Sequence, residues 1–310
     1  MTGASAIALP GSERDALVAR FAGRLLRDEP MSRHTSWHVG GPADLFFEPR
    51  DRADLADFLR AVPSTLPITW VGLGSNLLVR DGGLRGAVIS VHGALAALER
   101  REGGKVWCEA GVPCARIARQ CARWELGPAE FFAGIPGTLG GALAMNAGAF
   151  GGDTWRHVRQ VEVIDRAGVI RHRDAAEYRV SYRHVEPPAA GEAFLGAVLD
   201  FEARPGATTD AIRDLLVERK AKQPIGEWSC GSVFTNPPGD HAARLIESCG
   251  LKGRRLGGAV VAEKHANFIL NEGEASAADL EQLIALVQRT VEERTGVRLQ
   301  TEVRVVGEAA

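Results

Sequence analysis

The sequence predicts an α+β protein of two or three domains. Its 310 residues exceed the ~100–200 residues of a typical single domain. Its composition, 45% hydrophobic and 25% charged, is that of an ordinary globular chain. Runs rich in β-forming residues end in glycine turns and alternate with stretches of helical periodicity. We expect turn-rich α+β structure over residues 31–204 and a further domain beyond the linker at residues 204–206.

Charge and cysteine usage narrow the class of protein. The 37 basic residues nearly cancel the 39 acidic ones, so a polyanion-binding surface is not indicated. No apolar run reaches the length of a membrane span, and residues 1–11 lack the basic start and apolar core of a signal peptide. The five cysteines form no CxxC pair, and an odd number suits a reducing compartment. We expect a cytoplasmic protein with buried thiols and no metal site, which binds neither nucleic acid nor membrane.

The N-terminal residues 1–30 are predicted to be a leader helix onto the main fold. Ser12 can cap this helix, and its apolar face comprises Leu17, Val18, Phe21 and Leu25. The next segment contains His34 and His38, four residues apart. A Gly-Gly-Pro turn follows them directly, which argues against a metal pair on a helix.

A glycine-rich stretch, Gly134 to Gly152, holds seven glycines in nineteen residues and no charged side chain. So many glycines are compatible with a folded structure where the backbone turns sharply or lies directly against a ligand or neighbouring backbone. A turn at its start would be followed by the amides of Gly140 and Gly141, free to face an anion, and by Asn146 as a polar handle. The stretch alone leaves open whether these glycines contact a ligand or neighbouring backbone.

A second glycine-rich segment, Gly72 to Asn76, follows the β-rich run 67–71. It begins like a dinucleotide-binding fingerprint, but Leu77 stands where the third glycine belongs. Residues 77–79 are predicted to form a strand and residues 80–83 a turn, so the helix that a Rossmann site needs is absent. If this segment binds phosphate, it does so in another fold.

The middle of the chain predicts strands and one core helix. Strands are expected at residues 86–91 and 106–108, followed by a helix that buries Cys121 in its apolar stripe. Alternating valines at 161 and 163, with the turn 165–168, predict a hairpin. A helix after Thr208 should stop before Pro224.

Four places in the second half of the chain are candidates for chemistry. Residues 177–184 place both tyrosines beside two arginines, which suits an anion clamp or merely a solvated strand. The loop 228–239 contains Ser232 after a glycine, without the frame of a nucleophile elbow. Residues 263–269 are expected to form a polar strand. Beyond the capped helix that starts after Ser276, Glu302 lies on a final strand, where a carboxylate is usually just exposed.

Six motifs, in order over residues 35–306, strongly resemble those of the UDP-N-acetylenolpyruvoylglucosamine reductases. They are Gly72-Leu-Gly-Ser-Asn-Leu-Leu-Val79, Gly134-Ile-Pro-Gly-Thr-Leu-Gly-Gly141 with Met145-Asn-Ala-Gly-Ala149, Tyr178-Arg179, Gly231-Ser-Val-Phe-Thr-Asn-Pro237, Lys264-His-Ala-Asn-Phe268 and Glu302-Val303.

The resemblance implies a two-part FAD-binding region of the vanillyl-alcohol-oxidase/p-cresol-methylhydroxylase type, at 31–92 and 93–204, and a C-terminal α+β substrate-binding domain at 205–310. No histidine or cysteine stands in a motif for covalent flavin attachment, so FAD should be noncovalent. The residues implied to bind it are Gly72, Gly74, Ser75, Asn76, Gly134, Ile135, Pro136, Gly137, Thr138, Gly140, Asn146, Gly148 and Ala149.

The resemblance also implies a reaction: NADPH reduces the flavin, which passes hydride to the enolpyruvyl ether of UDP-N-acetylglucosamine and gives UDP-N-acetylmuramate. Arg179 and Glu302 would stabilise the developing enol, and Ser232 would protonate the adjacent carbon. Both ligands are small molecules, and we expect a monomer. The substrate-binding residues implied are Tyr178, Asn236, His265 and Asn267.

The sequence departs from the family pattern at three places. Thr235 stands where many relatives have a lysine or arginine, and Trp228 where a smaller residue or proline is common. Between Tyr182 and Phe194 the extra substrate-covering tyrosine loop of one subgroup is absent, which indicates the shorter type. Two alternatives stay open: a flavin-dependent oxidase of the same fold, and a non-catalytic nucleotide-binding relative, against which the intact catalytic residues argue.

Overall fold

The computed structural model describes residues 9–310, which divide into two compact units. The first runs up to Arg27 and continues with Leu45–Leu73 and Gly86–Val217. The second comprises Asp28–Asp44, Gly74–Arg85 and Glu218–Ala310. The start of the predicted leader, residues 1–8, lies outside the described residues. The predicted boundaries after residues 30, 92 and 204 stay a prediction.

Residues 9–310 form seven α-helices and twenty short strands. The helices are α1 (Gly11–Arg20), α2 (Arg52–Ala61), α3 (Cys114–Arg123), α4 (Leu139–Met145), α5 (Thr209–Lys222), α6 (Ala242–Ser248) and α7 (Ala277–Thr295). None of the helices in this part of the chain is long and apolar enough to cross a membrane.

The strands in chain order are β1 (Leu25–Pro30), β2 (Pro42–Phe47), β3 (Ile68–Val71), β4 (Leu77–Val79), β5 (Leu84–Ser90), β6 (Leu98–Arg100), β7 (Lys105–Glu109), β8 (Leu126–Gly127), β9 (Gly148–Ala149), β10 (Gly152–Asp153), β11 (Val158–Ile164), β12 (Ile170–Asp174), β13 (Arg179–Ser181), β14 (His184–Glu186), β15 (Ala193–Asp200), β16 (Glu202–Ala203), β17 (Arg255–Leu256), β18 (Ala259–Val261), β19 (Ile269–Asn271) and β20 (Arg304–Val306). A four-stranded sheet has the order β1-β2-β5-β3.

The first unit contains a five-stranded sheet in the order β12-β11-β15-β7-β6. The predicted hairpin at residues 161–170 is confirmed, because β11 and β12 pair antiparallel and Ile164 lies opposite Ile170. Helices α3 and α4 contribute to the core on this sheet, and Cys121 is fully buried there as predicted. A second core centres on three phenylalanine rings whose centroids lie 4.0–5.4 Å apart, Phe21, Phe47 and Phe58.

The N-terminal helix differs from the prediction. It begins at Gly11 with Pro10 in the N-cap position, and no side chain of the described residues caps it, so the Ser12 cap is wrong. It ends at Arg20, because the chain turns through Gly23 at a positive φ of 77° before β1 begins at Leu25. The helix and the turn together contribute to the phenylalanine core.

The second unit is built on α7 and the three-stranded sheet β17-β18-β19. The predicted helix is confirmed. Ser276 accepts a hydrogen bond from the Asp279 amide, the Asp279 carboxylate accepts one from the Ser276 amide, and Gly296 ends the helix in the left-handed region. Its buried stripe contains the predicted residues Leu280, Leu283, Ile284, Val287 and Val291.

The turn after β4 is fixed to the start of α7. Both carboxylate oxygens of Asp81 accept hydrogen bonds from helix amides, those of Ala277 and Ala278, each at 3.0 Å. This places a negative charge at the positive end of the helix. Arg80 adds a bidentate contact of 2.9 and 2.7 Å to Glu281, and this hydrogen bond lowers the pKa of the glutamate. β4 itself pairs in parallel with β20.

Two predicted strand positions are wrong. Residues 262–268 form a turn between β18 and β19, closed by hydrogen bonds from Ala262 N to Phe268 O and from Phe268 N to His265 O. The strand prediction failed because the polar groups of this segment bond to a neighbouring loop instead of to a sheet. Glu302 lies just before β20 and not within it.

Candidate active site

The glycine-rich stretch forms a turn, helix α4 and a left-handed exit at Asn146, whose φ is 47°. The amide of Gly140 donates to Ala110 O at 2.8 Å, so the prediction of a free amide is wrong at this residue. Gly141 is exposed, and a Cβ added there would meet no described heavy atom within 4 Å. Its N–H lies in the first turn of the helix, where amides have no intrahelical acceptor.

Close packing against protein explains three other glycines. An added Cβ would lie 2.4 Å from Thr138 Oγ1 at Gly72, 2.5 Å from Ala149 Cβ at Gly134 and 2.3 Å from Gly152 O at Gly148. Packing against other residues of the protein therefore accounts for the absence of a side chain at these positions. At Gly148 the neighbour is backbone, which is the alternative that the sequence left open. The contact between Gly72 and Thr138 also brings together two segments that were predicted to bind the same cofactor.

A buried hydroxyl beside Gly72 fits a bound ligand. Thr138 is 1% exposed, and its Oγ1 has no hydrogen-bond partner among residues 9–310. An unpaired buried hydroxyl costs about 1–3 kcal/mol. A polar group of FAD could supply the partner that the protein lacks, and the open backbone at Gly141 leaves room for an anionic group. The residues of this segment therefore fit a flavin dinucleotide.

A cleft of about 700 Å³ opens between the glycine-rich stretch and the β13–β14 hairpin. Asn146 links its two sides: Nδ2 donates to Ser181 O at 3.2 Å, and Oδ1 accepts from the Trp155 amide at 3.1 Å. The residues that line the cleft include Asn146, Gly148, Ala149, Val180, Ser181, Tyr182 and Arg183. Asn146 and Gly148 were among the residues predicted to bind FAD.

The hairpin presents one catalytic candidate and buries its neighbour. The side chain of Arg179 is 86% exposed, and its Nη1 lies 3.7 Å from Glu186 Oε2. Tyr178 is 7% exposed and packs against the rings of Trp155 and Phe194, at 4.7 and 5.9 Å. Its hydroxyl finds no partner in the described part of the chain, and burial raises its pKa to about 12. The structure thus places Tyr178 in the core of the first unit, and its contact with substrate stays a prediction.

In the second unit, Ser232 and Glu302 lie on paired backbone segments. The amide of Glu302 donates to Val233 O at 2.8 Å, and that of Thr235 donates to Gln300 O at 2.9 Å. Both candidate side chains are half-buried. The preceding Cys230 thiol is buried, and burial together with the charge of Glu302 raises its pKa well above its ordinary value. The structure therefore brings the backbone segments that carry these two catalytic candidates together.

Asn76 supports Glu302. Its Nδ2 donates to Glu302 O at 3.0 Å, and its own carbonyl accepts from Arg304 N at 3.1 Å. The glycine before it, Gly74, has a φ of 62° and a Cβ there would lie 1.9 Å from His34 O. Contacts of Gly74, Ser75 and Asn76 with FAD stay predictions. The structure does show the hydrogen bond from the Asn76 side chain to the Glu302 backbone.

Of the three remaining substrate candidates, Asn236 lies in the Ser232 loop and Asn267 bonds to that loop. Asn267 is 4% exposed; Oδ1 accepts from Phe234 N at 3.0 Å and Nδ2 donates to Phe234 O at 2.8 Å. Asn236 Oδ1 accepts from Ala242 N at the start of α6. Burial lowers the pKa of His265, whose Nδ1 is enclosed with no described partner. Substrate contacts of all three residues stay predictions.

The two residues that differ from the family pattern, Thr235 and Trp228, each contact a neighbouring residue. Thr235 Oγ1 donates to Gln300 O at 3.3 Å, and the exposed ring of Trp228 lies 4.5 Å from the ring of His38. All five cysteines are free and buried, as predicted, and burial raises the pKa of Cys121 to about 12. Among the residues described, no group of three histidine, cysteine, aspartate or glutamate side chains is placed to hold a metal ion.

Comparison with known proteins agrees with this geometry. The FAD binding domain family matches residues 43–173, and the C-terminal domain of UDP-N-acetylenolpyruvoylglucosamine reductase matches residues 223–306. The reductase of Alkalilimnicola ehrlichii is 59% identical, over 93% of this chain and 96% of its own, and that of Methylococcus capsulatus is 54% identical, over 94% and 96%. The crystal structure of the Thermus caldophilus reductase superimposes with a TM-score of 0.75 at 32% identity, covering 91% of this chain and 97% of its own.

The fold and these matches define an FAD-dependent oxidoreductase, with an FAD-binding region followed by a C-terminal α+β domain. The chain belongs to the UDP-N-acetylenolpyruvoylglucosamine reductase family. The predicted family, fold class and cofactor are therefore confirmed.

Replacing Tyr178 by phenylalanine should leave the thermal unfolding midpoint unchanged or raise it, because the change removes a buried hydroxyl that has no partner. Tyr178→Ala should lower the free energy of unfolding by about 3–5 kcal/mol, the range for a large aromatic removed from a core. Calorimetry measures both. Tyr182→Phe is the matched control, since that tyrosine is 58% exposed. A lower midpoint for Tyr178→Phe would show that the hydroxyl stabilises the folded state.

Proposed function

We propose that this protein reduces the enolpyruvyl ether of UDP-N-acetylglucosamine to UDP-N-acetylmuramate, with NADPH as the hydride source, in the synthesis of peptidoglycan precursors. The observation that supports the proposal is the backbone pairing of the Ser232 loop with the Glu302 segment, which brings these two stretches of chain next to each other. The relatives bear the name of this reductase. We further infer that the protein acts in the cytoplasm, as a monomer, and on small molecules alone.

The cofactor would be held noncovalently by the glycine-rich segments. Thr138 would donate or accept through its unpaired hydroxyl, and Gly141 would allow close approach of an anionic group. When bound, FAD supplies hydride chemistry between NADPH and the enolpyruvyl double bond. The buried surroundings of Thr138 exclude water from the bond that its hydroxyl would make.

Arg179 would bind the substrate carboxylate, on which negative charge grows as hydride reaches the terminal carbon. A guanidinium matches a carboxylate with two charge-assisted hydrogen bonds. The high exposure of Arg179, and its separation of 3.7 Å from Glu186, leave this group accessible to a ligand. Glu302, in its protonated form or through a shared proton, would add a hydrogen bond to the same developing enol.

Ser232 would protonate the carbon next to the one that receives hydride. A serine hydroxyl is a weak acid and can serve only because the substrate enolate is a strong base. The left-handed conformation of Gly231, with a φ of 81°, lets the chain turn immediately before this serine. The backbone bonds to residues 300–303 then fix the position of the loop.

The absorption spectrum of the purified protein tests the proposed function. The protein should be yellow, NADPH should bleach it under anaerobic conditions, and the UDP-enolpyruvyl sugar should restore the colour. Rapid reoxidation by oxygen with no response to the sugar would identify a flavin-dependent oxidase instead. A colourless protein that cannot take up FAD would contradict the proposal.

Ser232→Ala should leave the reduction of the flavin by NADPH intact and lower turnover of the enolpyruvyl substrate by about 10²–10⁴-fold, the usual range for a lost general acid. Stopped-flow absorbance separates the two half-reactions. Ser229→Ala, which removes a hydroxyl from the same loop, is the control and should turn over normally. Full activity of Ser232→Ala would exclude the serine as proton donor.

A further inference from the structure

The turn of the β13–β14 hairpin holds an arginine in an unusual conformation. Ser181 pairs with His184, so Tyr182 and Arg183 form the connection. Arg183 has a φ of 56°, in the left-handed region that turns normally assign to glycine or asparagine. A bulky residue is uncommon in this region and costs conformational energy, so contacts of the surrounding structure must hold it there.

The guanidinium of Arg183 reaches across the cleft to the glycine-rich stretch. Nη1 donates to Asn146 O at 3.2 Å, and Nη2 donates to Gly148 O at 3.0 Å. Charged donors make stronger hydrogen bonds than neutral ones. Asn146 returns a bond from Nδ2 to Ser181 O, so the two segments are linked in both directions. Two of these linked residues, Asn146 and Arg183, are non-glycine residues at positive φ.

The hairpin depends on such a link because it has little structure of its own. Its two strands have three residues each, and no third described strand pairs with them. An isolated two-stranded hairpin is only marginally stable in water. The residues of β13 are exposed, including Arg179, whose ion pair to Glu186 is long. Besides its base, the hairpin is held by the packing of Val185 against the core and by its anchored tip, and the position of Arg179 on the exposed strand depends on these contacts.

We propose that Arg183 is a positioning residue of the reaction: it fixes the hairpin to the Asn146–Gly148 backbone and so holds Arg179 where the substrate carboxylate binds. The inference rests on the proposed function for the role of Arg179. The fixing of the hairpin is independent of that function. Arg183 itself need touch neither the substrate nor FAD in this role.

Arg183→Gly removes the guanidinium and suits the left-handed turn, so the protein should fold. Turnover of the UDP-enolpyruvyl sugar should fall about 10–100-fold, because small misplacements of a binding group have effects of this size. The rate of flavin reduction by NADPH should not change. Arg183→Lys, which keeps a charged donor, should recover part of the loss. Arg171→Ala, which removes an arginine from an exposed strand of the same unit, is the charge control and should behave as wild type.

Non-additivity is the readout that a merely structural role would not produce. In an Arg179→Ala background, adding Arg183→Gly should cost less than about 2-fold further turnover, since residues that act through one another do not add. Any of three results would overturn the proposal. In the double variant, turnover would fall by the full additional factor; in Arg183→Gly, the rate of flavin reduction would fall as much as turnover; or turnover of Arg183→Gly would equal that of the wild-type protein. If Arg183→Gly fails to fold, Arg183→Asn replaces it, because asparagine tolerates this conformation.

Hydrogen exchange separates this proposal from the proposed function. Amide exchange of residues 179–186 should rise at least about 10-fold in Arg183→Gly without any substrate, as a local opening that the anchor normally suppresses. If the wild-type protein does not turn over the sugar, the proposed function fails, and the exchange comparison still decides whether Arg183 fixes the hairpin. Unchanged exchange would overturn the proposal even in an active enzyme.

Discussion

The side-chain amide of Asn267 organises the loop on which the proposed proton transfer depends. Its oxygen and nitrogen bond to the amide and carbonyl of Phe234, and its own carbonyl accepts from Val233. Three bonds thus fix the two residues after Ser232. Because the Glu302 amide bonds to Val233 as well, the backbone next to Ser232 and the backbone of Glu302 are held by one local network. Buried amides in such networks are costly to leave unpaired, which is why a single residue can determine the loop.

Two further asparagine side chains bond to the segments that carry the other catalytic candidates. Asn76 holds the backbone of Glu302, and Asn146 links the glycine-rich stretch to the hairpin of Arg179. An amide offers both a donor and an acceptor, so it can bond two backbone groups that regular structure leaves unpaired. Each of the three catalytic candidates therefore lies on a short segment to which an asparagine side chain bonds, namely the Ser232 loop, the Glu302 segment and strand β13.

The sequence predicted the elements whose cause is local. The capped helix α7, the β11–β12 hairpin and the burial of Cys121 follow from periodicity and turn residues, which act over a few positions. The family motifs indicated which residues carry chemistry. The sequence could not show that the Gly140 amide is taken by Ala110, that Tyr178 lies in the core, or that residues 262–268 turn, because those outcomes depend on contacts between distant segments. The sequence placed Arg183 in a possible anion clamp, but for the same reason it could not show that this arginine bonds to the carbonyls of Asn146 and Gly148.

The most direct test of this account is the turnover of Asn267→Asp, in which an isosteric carboxylate cannot donate to Phe234 O. We expect normal reduction of the flavin by NADPH and a loss of about 10–100-fold in turnover of the UDP-enolpyruvyl sugar. Asn271→Asp is the matched control, because Asn271 is similarly buried and its side chain bonds to Trp37 O and to the amides of Gly273 and Ala275, none of which belongs to the Ser232 loop. Equal turnover in the folded Asn267→Asp variant and the wild-type protein would contradict the account.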